Sequence, residues 1–390
     1  MKTNFDQIIN RKQTHSYKWD QSEKLFGDPD LLPLWVADMD FECPPAVKEA
    51  VMKRAEHGVY GYTFRPDSYY PAITSWFERR HDWKLEESWL TDSPGIVTSL
   101  SLAVELFSSP GSAVILQSPV YYPFYDVIRM NGRKVAKNPL VLKDGRYEID
   151  FEHLEQLMKD GAKLFLLCSP HNPGGRVWEK EELARIGALC EQYGVLVVSD
   201  EIHCDLVYEG KKHIPYASIS EEMAQHSLTC LAPTKTFNMP GLQSSFMVIP
   251  NPKLKRQFEM RIKTLSIHMM SYMAVDAVQA AYNEGEQWLD ELLVYLKGNV
   301  DYAIAYLAEQ LPQVKPMKPD GTYLLWLDCR GLDLDVPGLK DLMFKQARVA
   351  FNEGSMFGTE GEGFLRVNLA CPRATLEEGL RRFCEAAKKQ

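Results

Sequence analysis

The sequence predicts an α/β protein: a mostly parallel central sheet with helices on both faces, joined to a smaller α+β unit. Three observations carry this. Short, continuous apolar runs stand at Ala113–Leu116, Leu164–Cys168, Val195–Val198, Leu228–Leu231 and Phe246–Ile249. Runs without alternation are expected of strands buried on both faces. Between two of them Leu183, Ile186, Leu189, Cys190 and Tyr193 fall at helical spacing, which predicts a crossover helix over Glu179–Tyr193. Beyond about residue 290 the texture changes to two helical patterns over Trp288–Gln310, then Pro312, Pro316, Pro319 and a strand-like Tyr323–Asp328.

A chain of 390 residues exceeds one ordinary core. We therefore expect a large unit over 46–290, with an N-terminal arm (1–45) packing on a small unit (291–390). Within the arm, Leu34–Phe41 is apolar but interrupted by Asp38 and Asp40, so it reads as extended rather than helical. Val47, Ala50, Val51 and Arg54 predict a helix closed by Gly58. An aromatic loop, Val59-Tyr60-Gly61-Tyr62-Thr63, precedes a helix carrying Ile73, Trp76 and Phe77. Ser93-Pro94-Gly95 opens another helix towards Phe107.

Composition excludes several classes. A net charge of −9 gives no reason to expect nucleic-acid or phospholipid partners. No apolar stretch approaches a membrane span, and the first residues, Met1 to Asp6, lack a leader's apolar segment. Eight dispersed cysteines without a C-x-x-C fit reduced thiols in a cytoplasm. Nine histidines form no H-E-x-x-H or comparable set, so no metal is expected. No G-x-G-x-x-G opens a βαβ unit, which disfavours a nicotinamide dehydrogenase.

In open α/β sheets ligands bind beyond the carboxyl ends of the strands. The segments that follow the apolar runs are therefore informative. They hold Tyr121-Tyr122 after Leu116, Asn172-Pro173-Gly174 after Cys168, Asp200-Glu201-Ile202-His203 after Val198, and Thr234-Lys235-Thr236 after Leu231. Lysine is costly to bury, so one at the end of a buried strand invites a chemical reading beside that of a solvated surface turn. An aromatic ring, an amide, a carboxylate and an amine converging on one edge suit a flat, cationic heteroaromatic ligand bearing an aldehyde.

These segments, with Phe364-Leu365-Arg366-Val367-Asn368, resemble in order and spacing those of fold-type-I pyridoxal-phosphate enzymes. Trp35–Phe41, Tyr60-Gly61-Tyr62 and the histidine at 203 are similar to the cystathionine β-lyase branch of the aminotransferase-like group. The resemblance runs from about Phe5 to the last helix. It implies pyridoxal 5'-phosphate as cofactor, a homodimer with shared active sites, and cleavage of the carbon–sulfur bond of L-cystathionine or related cysteine conjugates. The products would be a thiol such as homocysteine, pyruvate and ammonia. An aminotransferase is the alternative, and a regulatory scaffold is disfavoured because the enzyme fold uses up the chain.

The resemblance also implies roles. Lys235 would carry the cofactor covalently and move the substrate Cα proton. Asp200 would face the pyridine nitrogen, with a helix N-cap as the alternative. Asn172 would reach the ring oxygen, or simply make an Asn-Pro turn. Tyr121 would stack on the ring, with Tyr122 as competitor. Gly95, Ile96 and Val97 would offer backbone N–H groups to the phosphate, helped by Thr234, while Thr236 has the core as its other option. Arg366 would clamp the substrate carboxylate, with Arg373 as alternative. Ala37 would line the substrate side, and Tyr62 would reach into a neighbour's site or sit in a core. Three departures stand out. Gln243 occupies the place of a phosphate-binding arginine, Ala232 that of a serine three before the lysine, and His203 that of a tyrosine, leaving either a ring contact or a structural histidine.

Overall fold

The computed structural model describes residues 3–390. Met1 and Lys2, where the reading of a leaderless start begins, lie outside the described residues. After two short helical turns in the arm (Tyr17–Asp20 and Ser22–Phe26), the chain forms α1 (Pro45–Glu56), whose proline at the first turn lacks only an N–H the helix would leave unpaired. Helix α2 (Tyr69–His81) buries Ile73, Trp76 and Phe77. Then come β1 (Leu90–Ser93), α3 (Ile96–Phe107), β2 (Ala113–Leu116), β3 (Lys134–Lys137) and β4 (Leu164–Cys168). The crossover helix α4 (Lys180–Tyr193) starts at a reciprocal capping box of Glu179 and Glu182 and is closed by Gly194 at φ 60°. Strands β5 (Leu196–Asp200), β6 (Ser227–Leu231) and β7 (Ser245–Val248) complete the large sheet.

The sheet order is β1-β7-β6-β5-β4-β2-β3. Strands β3, β2, β4, β5 and β6 are parallel, and β7 runs antiparallel to both β6 and β1. Two reversals restore direction, so β1 runs with the parallel set. The ends of β1, β2, β4, β5 and β6 and the start of β7 therefore share one edge, and the site is built there.

Two of these strands are not among the five apolar runs. Strand β1 (Leu-Thr-Asp-Ser) has one apolar residue, yet all four are buried. Its Asp92 accepts hydrogen bonds from Tyr69 (3.3 Å) and Tyr70 (2.9 Å) and pairs with Arg65. Partners distant in sequence make a polar strand tolerable there. Strand β3 (Lys-Val-Ala-Lys) is an edge strand whose terminal lysines discourage further pairing.

After the large sheet, α5 (Glu286–Gln310) is one continuous 25-residue helix, not the two patterns expected over Trp288–Gln310. Its Asn299 donates to Leu369 O and Cys371 O, so a polar residue on the buried face is satisfied without a break. A second, antiparallel sheet follows: β8 (Lys315–Met317), β9 (Leu324–Asp328), β10 (Asn352–Glu353) and β11 (Phe364–Asn368), in the order β8-β9-β11-β10. Leu32-Pro33 of the arm pairs in parallel with Val349-Ala350 beside it.

Residues 35–41 cross between the two sheets without joining either. Side chains satisfy much of their backbone instead. Asn368 donates from Nδ2 to Val36 O (2.5 Å) and Asp38 O (2.6 Å), and Tyr323 donates to Ala37 O (2.9 Å). Arg366 donates to Trp35 O (3.0 Å), and Asn238 donates to Met39 O and Phe41 O while accepting from Met39 N. Replacing Asn368 with leucine removes a short hydrogen bond from each of two carbonyls, leaving Val36 O the Asp38 N–H and Asp38 O only Lys18 at 3.5 Å. It should lower stability by about 1–3 kcal/mol, read as a lower urea midpoint than wild type.

Candidate active site

A cavity of about 340 Å³ opens at the shared strand edge. Lys235 enters it from the short helical turn Pro233–Thr236 that follows β6. Its amine donates to Ala37 O, a backbone acceptor supplied by the unpaired crossing segment. Loss of hydration lowers the amine's pKa to about 8; Asp38 and Asp200 pull it up, and Arg366 pushes it down. Asp200 ends β5 and accepts one hydrogen bond, from Ile202 N at 3.2 Å. Burial pushes its carboxyl up to about 7. A turn rather than a helix follows it, so the N-cap reading does not hold.

Asn172 is buried after β4, and its Oδ1 accepts from Arg366 Nη1 at 3.0 Å. That bond orients the amide, because arginine offers only donors. The Nδ2 group has no protein partner among the described residues and belongs to a residue on the cavity wall. Tyr121 lines the cavity; Tyr122 packs against it with ring centroids 5.1 Å apart but does not. His203 is buried on the wall with Nδ1 unpartnered, its ring edge-on to Tyr323. Burial drives its pKa down to about 3, with Lys235 and Arg366 adding to the effect, so the imidazole is neutral.

The floor is the N-terminus of α3. Gly95 is its first flanking residue, no side chain caps it, and nothing approaches within 4 Å of where a Cβ at Gly95 would lie. Gly95, Ile96 and Val97 thus bring an uncapped helix end, with its positive dipole, to open space. Thr234 lines the same region, whereas Thr236 turns to the core and donates to Asp205 at 2.8 Å. Gln243, Ser244 and Ser245 complete the wall, and the Ser244 hydroxyl is buried without a partner. The serines escaped the sequence reading, although a Gln-Ser-Ser run entering a buried strand was a visible signal.

Arg366, on β11, stands behind Asn172 and is 2% exposed. Its acceptors are Asn172 Oδ1, Trp35 O and Asn352 Oδ1, all neutral. Arg373, the alternative, is used elsewhere: it bonds Asn299 and stacks over Tyr302. Ala37 lines the cavity. Tyr62 is not brought to the cavity of its own chain. It is 95% exposed, in a loop where Val59, Tyr60 and Phe64 are also exposed.

The sequence pattern of the aminotransferases of class I and II matches residues 29–383. The chain belongs to that family. Over 381 residues it is 47% identical to the cystathionine beta-lyase PatB of Bacillus subtilis (strain 168), covering 97% of this chain and 98% of that one. A PLP-bound putative aminotransferase from Clostridium difficile 630 superposes with a TM-score of 0.97 at 44% identity, covering 99% and 100% of the two chains. The PLP-bound C-S lyase from Staphylococcus hominis does so at 0.91 and 32% identity, covering 98% and 97%. The geometry gathers a lysine, a carboxylate and an uncapped helix N-terminus around one cavity.

Removing the negative charge of Asp38 should lower the Lys235 pKa further below about 8, because that charge favours the ammonium form. Competitive acetylation of the cofactor-free protein, read by mass spectrometry of the Lys235 peptide, should show Asp38→Asn titrating at lower pH than wild type. An unchanged midpoint would remove Asp38 from the account.

Proposed function

We propose that the protein is a pyridoxal-phosphate-dependent carbon–sulfur lyase of the cystathionine β-lyase type, acting on L-cystathionine or related cysteine conjugates. One observation carries the reading. A lysine amine near neutrality and a buried carboxylate share a cavity whose floor is an uncapped helix N-terminus. The residues present fit the cofactor: an amine for its aldehyde, an acid for its ring nitrogen, backbone N–H groups for its phosphate. Similarity to a cystathionine beta-lyase and to PLP-bound structures supports the same choice.

When bound, the cofactor supplies a carbonyl for covalent attachment of an amine and a ring that withdraws electrons from the substrate Cα. The chain's residues do the rest. The Asp200 carboxyl, pushed up by burial, is returned to its charged form by a cation set against it. Asn172 has Nδ2 free for the ring oxygen because its Oδ1 is held by Arg366. Tyr121 offers a ring face and Thr234 a hydroxyl. His203 is neutral and adds no charge beside Lys235. Phosphate holding rests on Gly95, Ile96 and Val97, with Gln243 and Ser244 nearby in place of an arginine.

Arg366 takes the substrate carboxylate and Ala37 borders the substrate. Lys235, freed as an amine, accepts the Cα proton. The Cβ–S bond then breaks with its electron pair leaving on sulfur, and water converts the released enamine to pyruvate and ammonia. Elimination needs no keto acid to restore the starting state, whereas transamination does. About 1.4 kcal/mol between the two barriers gives a tenfold preference.

We also propose a cytoplasmic homodimer whose product thiol, homocysteine, serves methionine synthesis. The exposed Val59, Tyr60, Tyr62 and Phe64 give the loop an apolar surface for a second copy, which would receive Tyr62 in its site.

Incubation with cystathionine and no added keto acid should release pyruvate, ammonia and homocysteine continuously. A single stoichiometric burst, renewed only by a keto acid, would make the protein an aminotransferase instead. Lys235→Ala should lose turnover by roughly 10²–10⁴-fold or more while still binding the cofactor. Mixing Lys235→Ala with Tyr62→Phe should restore activity through heterodimers that hold one intact site. If verified heterodimers stay inactive, Tyr62 does not act across the interface.

A further inference from the structure

Arg366 is a buried guanidinium with no counter-charge. Among the described residues no aspartate or glutamate pairs with it, and its Nε is buried without any acceptor. Its neighbours hold it by other means. Strand register sets Asn352 of β10 directly opposite Arg366 of β11, and Asn352 Oδ1 accepts from Nη2 at 2.6 Å. Asn172 Oδ1 and Trp35 O accept the other bonds, and the Phe357 ring lies under the guanidinium with its centroid 4.8 Å from Cζ. Arginine has only donors, so each of these oxygens fixes direction without neutralising charge.

We propose that Asn352 is a positioning residue that makes the site selective for α-carboxylate substrates, by orienting Arg366 through a neutral acceptor. An acid at 352 would hold the guanidinium equally well, yet would supply the charge that the ligand carboxylate must bring. The neutrality of the cage is therefore the selective feature, because a buried cation lacking a partner gains most from an incoming anion. This rests on the reading of Arg366 as the carboxylate receptor.

The test compares Asn352→Asp, Asn352→Leu and Arg366→Met holoenzymes. Calorimetry follows binding of 3-(methylthio)propionate, a thioether acid that lacks an amine and so cannot join the cofactor. A parallel titration uses 2-(methylthio)ethylamine, which lacks the carboxylate. Asn352→Asp should weaken the acid by more than tenfold and leave the amine unchanged. Asn352→Leu, which keeps volume without an acceptor, should weaken the acid several-fold, also with the amine unchanged; it decides the matter should the aspartate variant fail to fold. Wild-type acid affinity in the Asn352 variants, with loss in Arg366→Met, overturns the proposal alone. Wild-type acid affinity in all three overturns the reading of Arg366 itself. Equal loss of acid and amine makes Asn352 merely structural and also overturns the proposal.

Discussion

The structure depends on how the backbone of residues 35–41 is satisfied. The segment crosses between two sheets, and a peptide left unpaired there costs free energy comparable to a lost hydrogen bond. Asn238 holds it from the Lys235 side, while Asn368, Tyr323 and Arg366 hold it from the small sheet. On its outer side Lys18 and Arg11 meet Asp40 at 2.7 and 2.6 Å, and Arg11 also pairs with Asp38. A buried acid with two cations and the Trp19 N–H is held below its ordinary range, despite the cost of burial. The Ala37 carbonyl reaches Lys235 because every neighbouring residue of the segment is pinned.

Around that strap the site concentrates ionisable groups that water does not stabilise. Lys235 is lowered to about 8, Asp200 raised to about 7, Arg366 lowered to about 10 and His203 lowered to about 3, and burial is the leading cause in each case. A cavity with walls of this kind is poorly balanced by itself. Under the proposed function, a ligand that brings a cation to Asp200 and an anion to Arg366 and the α3 terminus would balance it, so that binding and charge compensation would be the same event.

Behind the cavity a second layer fixes the lysine turn. Asp205 accepts from Thr236, Trp76 and His81, tying the residue after Lys235 to helix α2. Beside it the buried Glu201 pairs with His213 at 2.8 Å and accepts from Ser199 and the Tyr216 N–H. His81, Cys204 and Asp205 lie close enough to resemble metal ligands, but Asp205 already serves three donors. These bonds keep Asp200 and Lys235, which leave neighbouring strands, at fixed separation.

The sequence by itself determined the parallel core. Strands buried on both faces must be apolar throughout, and that leaves a local mark. It also exposed Lys235, Asp200 and Asn172, because polar segments directly after such strands are conspicuous. The polar strand β1 and the edge strand β3 left no such mark, since their burial or exposure is set by residues far away. The continuity of α5 escaped for a related reason: Asn299 is tolerated only because the carbonyls of Leu369 and Cys371 come to it. Tertiary structure alone set Tyr121 rather than Tyr122 on the cavity wall, engaged Arg373 with Asn299, gave Asn172 its orientation and revealed the bond from Arg366 to Asn352. Those choices turn on which groups meet across strands and sheets. A linear sequence shows which residues are chemically able to act, and only the fold supplies their partners.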